Sequence, residues 1–84
     1  MIYFTKHAKE KFEALKRYKF EVSKAQVEQA VKYPDLIDDS RLPLFIAQRN
    51  IDKQHVLRVV YKKEQKDLIK IITFYPGRVK QYDN

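Results

Sequence analysis

The chain has no cysteine and no tryptophan, one glycine (Gly77), two serines and two histidines in 84 residues. Without thiols there is no disulfide framework and no thiolate metal site, so packing alone has to hold so short a chain. A single glycine excludes the glycine-rich loop that cradles nucleotide phosphates, and two serines without a G-x-S-x-G run leave no nucleophile elbow. His7 and His55 are far apart, and no HExxH spacing joins either to a second ligand, so neither metal nor cofactor is expected. The longest apolar runs, such as residues 71–75, fall far short of the ~20 residues a membrane helix needs. No charged-then-apolar leader opens the chain. The expectation is one soluble, cytoplasmic domain over residues 1–84, with no membrane association.

What is present is aromatic and basic. Hydrophobic residues make up 44% of the chain, with six Tyr and five Phe, enough for one core. The formal net charge is +7, and it is unevenly placed. Residues 1–39 carry eight Lys/Arg against seven Asp/Glu, whereas residues 40–84 carry ten against four. The excess positive charge therefore sits in the second half, which implies a face for a polyanion.

Two periodicities divide the chain. Ile2-Tyr3-Phe4 is a short β-prone run, and Thr5 can cap a helix that extends to about Tyr18, with Ala8, Phe12 and Leu15 on its core stripe. His7, Lys11, Ala14 and Tyr18 share the flank of that stripe. Ser23 and Gln26 form a capping box for a second helix from about Lys24, Val22 can staple onto Val27, and Tyr33-Pro34 ends it. After Pro34 the pattern alternates, with strand candidates at residues 36–39, 44–51, 55–62 and 68–75, joined by short polar turns. Pro76-Gly77 is expected to close the last strand. The fold class expected is α+β: a short first strand, a helical hairpin, then an antiparallel meander of three to four strands.

Strand alternation selects candidate functional residues. If Leu57, Val59 and Tyr61 face the helices, Arg58 faces away. Arg49, in phase with Phe45 and Ala47, and Lys70, in phase with Ile72 and Phe74, are placed beside it as a cationic platform for a phosphate backbone, with Lys80 as a further nucleic-acid contact. Two other groups carry acid–base chemistry: His7 with Lys11, and Arg78 with Tyr82 behind Tyr75-Pro76-Gly77. A histidine exchanges protons near neutral pH, and Arg or Lys stabilises charge on a phosphoryl group in transition. RNA supplies its own 2′-hydroxyl nucleophile, so His7, Lys11, Arg58, Arg78 and Tyr82 form a sufficient catalytic set if the fold brings them together. The expectation is that Arg78, returned by a turn at Pro76-Gly77, approaches His7 or Lys11. A basic sheet can also bind RNA or DNA without cleaving it, and an exposed strand edge can dock an acidic protein.

With this order of elements, Lys6-His7-Ala8, Val22-Ser23, Asp38-Asp39-Ser40-Arg41, Leu57-Arg58-Val59-Val60-Tyr61 and Ile71-Ile72-Thr73 through Arg78 resemble the RelE/ParE toxin superfamily, in particular its BrnT-like branch. The late segment reads Thr73-Phe74-Tyr75-Pro76-Gly77-Arg78, where BrnT itself has Ser-Ala-Arg-Arg-Ala. The resemblance implies a toxin-type, metal-independent endoribonuclease that acts on RNA and is held inactive by a small acidic antitoxin protein. His7, Arg58 and Arg78 are the positions that match. A homodimer is compatible with all of these readings.

Overall fold

In the computed structural model, which describes the backbone of residues 1–82 and the side chains of residues 1–80, Thr5 turns a three-residue strand into a helix. The strand is β1 (Ile2–Phe4) and the helix α1 (Lys6–Arg17). The Thr5 hydroxyl accepts from the Ala8 amide at 3.1 Å and donates to the Ile71 carbonyl at 2.9 Å, so one side chain caps the helix and pins its start to the sheet. At the other end, Lys19 adopts φ 59°, Phe20 N donates to Leu15 O at 3.1 Å, and Lys19 N donates to Lys16 O at 2.9 Å. This is a Schellman cap with lysine in the left-handed position where glycine is the usual residue.

Helix α2 (Lys24–Lys32) begins with the expected capping box: Ser23 N donates to Gln26 Oε1 at 2.9 Å and Gln26 N to Ser23 Oγ at 3.1 Å. It ends at Tyr33, before Pro34, because proline disfavours the α conformation of its predecessor.

Four strands follow, β2 (Leu36–Arg41), β3 (Leu44–Asn50), β4 (His55–Lys63) and β5 (Ile69–Arg78), then a one-turn helix, α3 (Val79–Tyr82). The sheet order is β1-β5-β4-β3-β2. Strands β2 to β5 form the expected antiparallel meander, while β1 pairs with β5 in parallel, Ile2 opposite Ile69 and Phe4 opposite Ile71. The fold is therefore α+β with a mixed five-stranded sheet.

Both helices pack on one face of this sheet. Ala8 and Leu15 from α1 and Val27, Ala30 and Val31 from α2 meet Ala47, Leu57, Val59, Tyr61, Ile71 and Phe74. The Phe12 ring lies 5.9 Å from Phe4 and 4.6 Å from Phe74, joining β1, α1 and β5. Leu57, Ile71 and Phe74 are fully buried, each worth about 1.5–3 kcal/mol of transfer free energy. Among the described residues, no helix is long and apolar enough to cross a membrane.

Two local features depart from the sequence reading. Pro76-Gly77 is no turn, because β5 runs straight through it, with Pro76 opposite Leu57 and Gly77 opposite Val56. The short β1 pairs only with residues 69–71, so farther along β5 the outer edge has no described strand partner and accommodates a residue without an N–H. The second feature is a bulge: Tyr61 pairs with Ile71 and Val60 with Thr73, leaving Ile72 as the extra residue. The bulge reverses the phase of β5, which lets Ile71 and Phe74, of opposite parity, both reach the core.

Candidate nucleic-acid interface

The face of the sheet turned away from the helices can be read from the register in transverse rows. One row runs Leu36, Gln48, Arg58, Tyr75 across β2 to β5. Another, at the far end of the same face, runs Arg41, Leu44, Lys62, Lys70, Tyr3 across all five strands. Between them lie Asp38, Ile46, Val60 and Thr73. Arg58 and Lys62 are four residues apart on β4, about 13 Å at strand rise.

Arg58 faces away from the helices, as alternation predicted, yet only 8% of its surface is exposed. Its Nη1 donates to Gln48 Oε1 at 2.6 Å and its Nε to the Tyr75 hydroxyl at 3.1 Å, and Asp38 Oδ2 stands 3.8 Å from Nη2. A guanidinium carries five donors in a fixed fork, and these partners hold its orientation. Hydrogen bonds from the Ser40 hydroxyl and amide, followed by the nearby Arg58 and Arg41, hold the Asp38 carboxyl below its usual range. Asp38 is therefore ionised beside Arg58 at neutral pH.

The second row is different in kind. Lys62 and Lys70 are direct cross-strand partners, both half-buried, and among the described residues neither has a carboxylate within ion-pair distance. Tyr3, half exposed, neighbours Lys70 on β1. Lys62, which strand alternation alone does not single out, is placed on the platform by the β4–β5 register. Lys70 lies on this face as expected, but Phe74 does not, because of the Ile72 bulge.

Arg49 is not on the platform. Its partner across the ladder is Leu57, on the helix side, and its guanidinium donates to the Tyr33 carbonyl at the end of α2. Phe45 and Ala47, used to set its phase, face the helices, and Gln48 takes the place beside Arg58.

The acid–base group is not brought together either. His7 is exposed in the first turn of α1, and Lys11 is half-buried one turn later. Both belong to the layer that covers the opposite face of the sheet from Arg58. Arg78 pairs with His55 at the C-terminal end of β5, whereas the start of α1 is tied to Ile71, seven residues back along the strand, about 23 Å. The parallel β1–β5 pairing causes this separation: it sets the start of α1 beside the beginning of β5 and leaves Arg78 at the other end. Tyr82 closes α3, and its side chain lies outside the described residues. Lys80 lines a cleft with Lys53, Gln54 and Arg78, beyond the end of β5.

The second histidine has defined partners. His55 Nδ1 lies 3.0 Å from both Asp52 carboxylate oxygens, and its ring meets Phe20 edge-on at 5.3 Å. A hydrogen bond from the Gln54 amide, with others from the His55 ring and amide, outweighs partial desolvation and holds Asp52 below the usual carboxylate range.

No group of His, Asp or Glu among the described residues could hold a metal ion. In comparison with known proteins, no family model, no curated protein and no solved structure matches the chain.

Proposed function

We propose that this chain binds single-stranded RNA across the open face of its sheet. The observation that carries the proposal is the Lys62–Lys70 pair: two lysines directly opposite each other across the β4–β5 ladder, without a carboxylate partner among the described residues. Like charges opposed across a ladder are destabilising, and a phosphate between them converts that repulsion into attraction. Tyr3 beside Lys70, and Tyr75 beside Arg58, add aromatic surface of the sort on which unpaired bases stack. The test is titration of a labelled RNA oligomer at several salt concentrations. Neutralising both lysines should reduce the slope of log K against log salt by about 1.4, at ~0.7 per phosphate contact. A flat salt response in the wild-type protein rules the proposal out.

A second reading, cleavage of the bound RNA in the manner of a toxin endoribonuclease, is favoured by the Arg58–Tyr75 hydrogen bond. It sets a phenol, able to pass a proton, against a permanent cation on the open face of the sheet. On this reading Arg58 and Tyr75 are the centre, without His7. Incubation with RNA in chelator should yield cyclic-phosphate ends that disappear in Tyr75→Phe while binding persists. Binding with no such ends in the wild-type protein leaves the first reading alone.

A further inference from the structure

A separate cationic site lies at the opposite end of the molecule from Lys62 and Lys70. The turn between β3 and β4 meets the end of β5 there, and the Val79 amide donates to the Gln54 carbonyl at 2.9 Å. This bond fixes the two backbones against each other, and Lys53, Arg78 and Lys80 line a cleft of about 440 Å³ there. The volume falls within the ~300–1,000 Å³ usual for small-ligand sites. Among the described residues, Lys53, Gln54, Arg78, Val79 and Lys80 line it.

The acidic residue nearest in sequence is turned to another task. Asp52 Oδ1 accepts from Gln54 N at 2.7 Å and from His55 N at 2.8 Å, and its carboxylate also holds the His55 ring. Those bonds shape the turn and commit the carboxylate to His55, whose ring packs against Phe20 on the helix side.

From this geometry we infer that the cleft formed by Lys53, Gln54, Arg78 and Lys80 binds a phosphate monoester. A monoester carries a charge of about −1.5 to −2 at neutral pH and three terminal oxygens, matching a planar guanidinium plus two ammonium groups better than the single charge of a diester. Gln54 adds a neutral amide that can bond either the phosphate or the group it esterifies. The site does not depend on RNA binding by the open face.

The probe is inorganic phosphate, added to 15N-labelled protein at constant ionic strength with chloride as the balancing anion. The Gln54 and Val79 amides should shift saturably, and Lys53→Gln with Lys80→Gln should weaken the apparent affinity at least tenfold. Both lysines are exposed, so this variant should keep the wild-type melting temperature. The Lys62→Thr/Lys70→Thr variant should retain the response, separating this site from the open face. Shifts that rise linearly without saturation, or that persist unchanged in the Lys53→Gln/Lys80→Gln variant, overturn the inference. The source of the monoester is resolved by two further arms. A 5′-phosphorylated RNA that binds more tightly than its 5′-hydroxyl counterpart, by a factor lost in the variant, identifies a nucleic-acid end. A nucleoside monophosphate that shifts the same amides, with no effect of the RNA end, identifies a free nucleotide.

Discussion

Lys62 and Lys70 stand directly opposite each other on β4 and β5, on the face of the sheet that the helices leave open. Replacing Lys70 with threonine, a good strand former, should remove the repulsion and raise unfolding free energy by roughly 0.2–1 kcal/mol. The same change should weaken RNA binding. Urea denaturation and an RNA titration on one preparation check both; stabilisation without loss of binding would remove the functional explanation of the pair.

Gln48 holds Arg58 through its side-chain oxygen at 2.6 Å, and 7% of Gln48 is exposed. Gln48→Leu keeps the volume but removes an acceptor from a buried guanidinium, so it should destabilise by about 1–3 kcal/mol. Gln48→Glu restores an acceptor and should recover most of that loss at pH 7. Chemical denaturation of the three proteins gives the comparison, and equal stability of the Leu variant and wild type would show that Gln48 does not support Arg58.

Lys19 sits at φ 59° in the cap that ends α1. A side chain in the left-handed region is strained by roughly 1–2 kcal/mol, part of which glycine forfeits through the greater freedom of its unfolded chain. Lys19→Gly should therefore stabilise by about 0.5 kcal/mol, a rise in melting temperature of roughly 2–4 °C for a domain of this size. A lowered melting temperature would contradict the strain assigned to this cap.

Stability should fall on the acid side through Asp38 and Asp52. Both carboxyls are depressed in the folded protein, Asp38 first by the Ser40 hydroxyl and Asp52 first by the Gln54 amide. A depressed folded pKa contributes stability that is complete above the unfolded value of about 3.9 and is lost as pH falls through the folded value. The urea midpoint should thus hold between about pH 7 and 5 and drop below about pH 4. Asp38→Asn and Asp52→Asn should each flatten that drop while lowering stability at pH 7.

How much the sequence revealed depended on the range of the interaction. The capping bonds of Thr5, Ser23 and Gln26 and the backbone constraint of Pro34 act within four residues, so both helix boundaries could be read directly, and the apolar spacing on each helix named the residues that reach the core. The four meander strands and the outward direction of Arg58 followed from alternation in the same way. Beyond that range the reading failed. Arg49 was assigned to the wrong face because which side of β3 meets the helices depends on how Ala47 packs against them. Pro76-Gly77 looked like a turn because its tolerance inside β5 depends on β1 being too short to reach it. The bulge at Ile72 arises where Ile71 and Phe74 both enter one core, and a regular alternating strand cannot satisfy both. The largest consequence belongs to β1: its parallel pairing with the beginning of β5, between segments more than sixty residues apart, separates His7 from Arg78. Local hydrogen bonds determined the elements, and burial of apolar side chains across distant segments decided which charged residues share a surface.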